Sequence, residues 1–239
     1  MKRFQYVVAM AAVGLAAACA ALGQAPANGE IVSLRQLKNL TPEQAAARLP
    51  VRLRGIVVCY DAGWHQLYVH DERETLYFNA DDFATQPRKG DVVEITGQAR
   101  GTNTLDNPKL SIVGQGLLPP ARLLALSDLA LDHGEWVEVQ GRVLSAESSR
   151  GRLALLLHEK GQNCLVYLLG SPATNDFKQW LDCRVRVRGI NASRMAGDRL
   201  ESGLLFVPGA DEVKILQPAD VKPAQIPVVS IGSLLNRQL

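Results

Sequence analysis

The chain has 239 residues, 47% of them hydrophobic and 21% charged, with 26 lysines and arginines against 24 acidic residues. That length and balance suit globular domains with buried cores and exclude a disordered or fibrous chain. The small net charge argues against a protein built to hold polyanions, which normally carries a clear basic excess or stripe.

Residues 1–23 read as an export signal. Lys2 and Arg3 supply the positive start, Val7 to Leu22 is an alanine-rich apolar run, and Ala21-Leu22-Gly23 offers small residues for cleavage. The run is short for a membrane helix, and Pro26, Asn28 and Gly29 follow it. A periplasmic or otherwise extracytoplasmic location is therefore expected. Ala16-Ala17-Ala18 before Cys19 forms a degenerate lipobox, so lipid anchoring at Cys19 is the alternative fate. Loss of Lys2 and Arg3 leaves 24 basic against 24 acidic residues.

A first unit opens with Ile31-Val32-Ser33-Leu34, followed by a short helix. Thr41-Pro42-Glu43-Gln44 starts that helix with a hydroxyl cap, a proline and a glutamine three residues on; Pro50 stops it. Strands are expected over 51–60, 66–70, 75–79, 92–96 and 109–113. Pro119-Pro120 and Leu123 to Leu131 then connect to a second unit with strands over 136–144, 152–158, 164–169, 184–190, 204–207 and 212–216. A helix capped by Ser171-Pro172 is expected between its third and fourth strands.

One strand motif with a closing glycine recurs four times. It reads Val51-Arg52-Leu53-Arg54-Gly55, Val92-Val93-Glu94-Ile95-Thr96-Gly97, Val137-Glu138-Val139-Gln140-Gly141 and Val185-Arg186-Val187-Arg188-Gly189. The first and third copies lie 86 residues apart and the second and fourth 92, which marks a duplicated unit of about ninety residues. Alternation puts one face on a core, and the glycine lets the strand bend. Five strands, a bend glycine in strand one and a helix between strands three and four describe an OB-fold. The expectation is an all-β (mainly) chain: two tandem OB-fold-like five-stranded barrels with short capping helices, after a signal peptide. The expected boundaries are 1–23 for the signal, 24–49 for a lead-in strand and helix, 50–118 for the first barrel, 119–135 for the connection, 136–217 for the second barrel and 218–239 for a tail. Val228-Val229-Ser230-Ile231-Gly232-Ser233-Leu234 repeats the lead-ins at Ile31 and Leu123. It reads either as the lead-in to a further unit or as a strand packing back on the second barrel.

The pattern of signal, lead-in, Pro50 to Val57, Leu67-Tyr68-Val69-His70-Asp71 and Gly90 to Gly97 resembles the tandem OB-fold extracytoplasmic regions upstream of the membrane helix in some bacterial sensor histidine kinases. The similarity spans nearly the whole mature chain, including Leu205-Phe206-Val207-Pro208. It departs at His70, where such receptors often carry glutamine, and the sequence contains no membrane span or kinase core. The resemblance implies a ligand-binding or sensory role in two-component signal transduction and transfers no catalytic residue. It also implies a membrane-bound kinase region in the same longer chain as a partner.

Aromatic residues crowd into the front of the first unit. On its second and third strands Leu67, Val69, Leu76 and Phe78 should face the core, leaving Tyr68, His70 and Tyr77 outward with Trp64 beside them. Trp64, Tyr68, His70 and Tyr77 are thus the candidate ligand-binding residues, on the surface where OB-folds commonly bind. Packing of these rings against the second barrel or the lead-in helix is the competing reading. His70 and His158 sit at equivalent hairpin positions, where hydrogen bonds that hold the turn explain them better than a metal does. Arg52, Arg54, Arg184, Arg186 and Arg188 alternate as solvated strand positions would.

Four scattered histidines, with no G-x-S-x-G, H-E-x-x-H or phosphate-binding loop, offer no catalytic set, no metal site and no cofactor. Cys164 and Cys183 could pair in an oxidising compartment, or serve as buried thiols. The expected function is a non-catalytic extracytoplasmic ligand-binding or sensory module for a small molecule or protein ligand. A free-standing envelope adaptor or lipoprotein is the alternative, and an OB-fold nucleic-acid-binding protein a further one that the charge balance disfavours.

Overall fold

A computed structural model describes residues 29–169, 179–197 and 199–220. The expected export signal, Cys19, the expected helix start at Ser171-Pro172 and the expected third lead-in at 228–234 lie outside the described residues. Within them the protein is mostly β, arranged as two OB-like units.

The first unit comprises helices α1 (Leu34–Lys38) and α2 (Pro42–Ala46) and strands β1 (Pro50–Asp61), β2 (Gln66–His70), β3 (Thr75–Asn79), β4 (Asp91–Ala99) and β5 (Leu105–Gln115). Both helices are nucleated by reciprocal capping boxes, Ser33 with Gln36 and Thr41 with Gln44. The expected helix at Thr41 is present. The lead-in, expected as a strand, makes only a bridge between Ile31 and Val51 before turning into α1. There Leu34 and Leu37 are buried in the core with alternate residues of β1 to β4, including Leu53, Leu67, Val69 and Phe78. Each such side chain contributes about 1.5–3 kcal/mol by leaving water.

The strand order is β3-β2-β1-β4-β5. The Gly55 position admits no side chain: a Cβ there would stand 2.6 Å from the His70 carbonyl oxygen on β2. Three residues on, the β1–β2 register slips between Val57 and Cys59, so Val58 is an extra residue in a bulge.

The second unit repeats this plan with β6 (Arg122–Leu123), β7 (Trp136–Ser149), β8 (Arg152–Glu159), β9 (Gln162–Leu168), β10 (Arg184–Asn191), β11 (Arg194–Ala196), β12 (Arg199–Val207) and β13 (Val213–Gln217). Gly141 approaches the His158 carbonyl, and the β7–β8 register slips between Val143 and Ser145, as in the first unit. Leu126 and Leu129 of the second lead-in are buried like Leu34 and Leu37. Trp180, at the end of the expected inserted helix, is buried in the second core.

The units differ at one seam. In the second, β12 crosses from β10 to pair in parallel with β9, from Gly203 opposite Cys164 to Val207 opposite Leu168, and this closes the ring. In the first, β5 stays on β4 along its length, and no β3–β5 ladder exists among the described residues. Phe83 instead packs edge-on against Phe78 at 6.2 Å, and the Thr85 hydroxyl donates to the Leu110 carbonyl at 2.9 Å. The cause is chain length: only five residues join β4 to β5, whereas the β11–β12 hairpin gives the second unit the chain needed to cross the gap.

Cys59, Cys164 and Cys183 are buried free thiols, so the Cys164–Cys183 disulfide is not formed. The Cys183 thiol donates instead to the Gln179 carbonyl, and burial pushes the Cys164 thiol up to about 12.

Candidate ligand groove between the two units

Alternation on β2 and β3 holds. Leu67, Val69, Leu76 and Phe78 face the first core, and Tyr68 and Tyr77 face the other way. That outward face is covered by the second unit. Val58, Cys59 and Tyr68 form a third apolar cluster with Trp136, Ala154, Tyr167, Leu169 and Ile190, and Trp64, Tyr77 and Phe206 pack against it. Tyr68 is 7% exposed, and burial raises its phenol above the ordinary value.

Trp64 is held by a short 3-10 turn whose cap is Asp61, which accepts from the Trp64 amide at 3.1 Å. Its indole meets the Tyr167 ring edge-on at 4.8 Å and Phe206 at 5.9 Å. Arg152, at the start of β8, lies 5.6 Å from the Trp64 ring centroid and binds both Asp61 oxygens, at 2.7 and 2.6 Å. Asp61 is buried, so this bidentate pair is a desolvated link between the units rather than a surface ion pair.

Two further links join them. Lys89, in the turn before β4, pairs with Asp211 and with Glu212, the latter at 2.9 Å. Glu135, at the end of the connection, accepts from Lys38 and from the Thr75 amide, each at 3.0 Å.

Beside this junction a groove of about 460 Å³ remains open. Tyr68, Tyr77 and Phe206 line it with aromatic rings, and Gln66, Asn103, His133 and Lys38 bring polar groups to it. Tyr68 and Tyr77 are 5.5 Å apart with tilted rings. The Tyr77 hydroxyl donates to the His65 carbonyl at 3.2 Å, and burial together with Asp82 and Asp81 raises its pKa.

Of the four candidate residues, Tyr68 and Tyr77 line this groove, Trp64 stands in the junction, and His70 lines a separate groove of about 720 Å³ with Arg54, Gly55 and Arg73. The His70 ring bonds to the Thr75 hydroxyl at 3.0 Å, and the His158 ring to Asn163 at 2.8 Å, so both histidines tie their hairpins. Asp71 completes the first hairpin: one oxygen accepts from the Arg73 and Glu74 amides and the other from the Leu34 amide at the start of α1.

Phe206, Asn103 and His133 were not legible as groove residues, and neither was the Asp61–Arg152 pair. A signal existed. Cys164-Leu165-Val166-Tyr167-Leu168-Leu169 and Leu204-Leu205-Phe206-Val207 are continuous apolar runs, the mark of strands covered on both faces.

Four of the five arginines in these rows are paired within the sheets, while Arg54 has no carboxylate partner among the described residues and lines the groove beside His70. Arg52 pairs with Glu30 and Glu94, Arg186 and Arg188 share Glu138, and Arg184 reaches Glu159. No group of three or more potential metal ligands exists among the described residues, and no helix among them is long and apolar enough to cross a membrane.

No family model and no curated relative matches the chain. Among solved structures it is similar to the asparaginyl-tRNA synthetase of Entamoeba histolytica (16% identity over 44% of this chain and 25% of that one, TM-score 0.34). It is likewise similar to the aspartyl-tRNA synthetase of the same organism (13% identity, 42% of this chain and 22% of that one, TM-score 0.33). A murine DNA binding protein bound with double-stranded DNA shares 15% identity over 75% of this chain and 99% of its own, with a TM-score of 0.34. The chain spans about a quarter of the length of the synthetase chains. These similarities assign no ligand.

Proposed function

We propose that this chain is a non-catalytic ligand-binding or sensory module working outside the cytoplasm, as the input region of a signal-transduction receptor. The observation that carries the reading is the groove against the junction, where Tyr68, Tyr77 and Phe206 supply apolar surface and Gln66, Asn103 and His133 supply a few directed polar groups. That combination suits a ligand held by stacking and oriented by hydrogen bonds. A ligand there touches both units at once, because Phe206 belongs to the second and Tyr77 to the first. Binding would therefore bias how the units sit together, which is what an input region needs.

The near-even balance of 26 basic against 24 acidic residues, and the pairing of Arg52, Arg184, Arg186 and Arg188 with carboxylates, favour this over binding of single-stranded nucleic acid, which relies on a basic groove as well as stacking. An envelope adaptor that binds a protein partner is the second reading, favoured by the unpaired outer edge of β3.

Thermal unfolding in the presence of a panel of amino acids, sugars and aromatic metabolites tests the groove. A stabilising compound should lose its effect in Tyr77→Ala, since stabilisation follows affinity for the folded state. A compound that stabilises the variant equally would place recognition elsewhere. Intact mass and membrane partition of the native protein test the context. A much larger membrane-bound species supports the receptor reading, and a species with lipid added at Cys19 supports the adaptor.

A further inference from the structure

We propose that the open edge of β3 takes up an extended segment of a partner protein as an added strand. Its aromatic or branched apolar side chain would enter the groove, with a lysine or arginine beyond it. The inference rests on the groove being the recognition site and names the class of ligand it takes.

Backbone parity shows which groups are available. In the β2–β3 hairpin the Asp71 amide donates to the Glu74 carbonyl at 3.0 Å and the Ala80 amide to the His65 carbonyl at 3.2 Å. The register of His70 opposite Thr75 through Gln66 opposite Asn79 therefore turns the amides and carbonyls of Thr75, Tyr77 and Asn79 away from β2. Thr75 is buried and its amide is already taken by a carboxylate oxygen of Glu135, so the free part of this edge begins at Tyr77. Tyr77 and Asn79 have no backbone partner there among the described residues.

The second unit shows what fits. At the equivalent edge β12 lies parallel to β9 across five residue pairs, and it carries Phe206. Among the described residues the first unit has no strand of its own in that place. Nor does Thr75–Asn79 carry the lysine, proline or bulge that usually protects an exposed edge. Strand addition uses such an edge for affinity and the flanking pockets for specificity.

Charge and continuity select the occupant. The groove runs on from the established junction, sharing Tyr68, Tyr77 and Phe206 with it, so an apolar side chain extends a surface that is already buried. A strand parallel to β3 leaves towards the exposed Asp81 and Asp82, where a basic side chain is complementary.

Panning the intact protein against a displayed library of random linear octapeptides supplies the probe. Selected peptides should alternate an aromatic or branched residue with polar ones and end in lysine or arginine. Asn79→Pro separates the mechanisms: Asn79 already has φ −70, which proline accepts, and the change removes the outward amide. Asn79→Ala keeps that amide while losing the same side-chain bond to the Asp81 amide. Peptide affinity should fall about tenfold or more in Asn79→Pro and stay near wild type in Asn79→Ala. No selected pattern, or equal binding by the two variants, overturns strand addition. A small aromatic compound that depends on Tyr77 but ignores Asn79→Pro would overturn it while leaving the groove intact. Peptides and compounds alike indifferent to Tyr77→Ala would overturn both readings.

Discussion

The two units carry the same bend, bulge and hairpin, yet they treat their outer faces differently. Val58 and Leu144 are the extra residues of equivalent bulges, 86 positions apart. Val58 is 0% exposed beneath the second unit, and Leu144 is 50% exposed. In the first unit β1 to β3 turn an aromatic face into the junction and leave the β3 edge unpaired; in the second the equivalent edge is closed by β12. Duplication thus fixes a shared skeleton, and divergence acts on the face and the seam. One copy closes its own seam; the other leaves its seam open and has its outer face covered by its neighbour.

Breaking the link between the copies should have the largest effect. Arg152→Ala leaves the Asp61 carboxylate buried without its cation, and is expected to cost about 3 kcal/mol or more in urea unfolding. A smaller loss, near that of a surface pair, would mean that water reaches Asp61.

The bend glycines are packed unequally in the two units. A Cβ at Gly55 would meet the His70 carbonyl oxygen and the Val69 side chain at 2.6 Å, whereas at Gly141 the nearest atoms stand at 3.2 Å. Gly55→Ala should therefore destabilise by about 2–3 kcal/mol and Gly141→Ala by about 1 kcal/mol or less. Equal costs would contradict the tighter approach in the first unit.

The bulge residues come next. Val58→Ala removes buried methyl groups from the junction and should cost about 2 kcal/mol, while Leu144→Ala should stay within about 0.5 kcal/mol. Paired unfolding curves decide it.

The smallest effect is on pH. Burial holds the His70 imidazole below its ordinary value of 6.5, against the opposing pull of Asp71, Glu135 and Glu74. The unfolded chain then binds the proton more readily than the folded one, so stability is lost as pH falls through the unfolded value. Between about pH 7 and 5 the wild type should lose more stability than His70→Gln. Parallel curves would show that His70 titrates alike in both states.

Much of the skeleton was legible. Four glycine-closed strands revealed the duplication, and period-2 alternation sorted Leu67 and Val69 from Tyr68. Thr41 to Gln44 announced α2 through its capping box. The same box at Ser33 to Gln36 is masked in the sequence because Ile31 to Leu34 also reads as a strand, and only tertiary pairing limits that segment to one bridge. The seam was hidden for a different reason: ring closure depends on how far β12 travels from β10, which no local pattern encodes. The junction was half legible. Excess aromatic residues marked one side, and unbroken apolar runs in β9 and β12 marked the other, but which surfaces meet is a long-range choice.

The buried thiols report on the docking of the two copies. Cys59 lies in the junction cluster, while Cys164 and Cys183 lie in the second core. Residue-resolved alkylation of the native protein and of Arg152→Ala, read by peptide mass spectrometry, separates the two environments. The docked arrangement predicts that Cys59 is as protected as Cys164 in the wild type and becomes selectively reactive in the variant. Rapid labelling of Cys59 in the wild type, with Cys164 and Cys183 still protected, would contradict it.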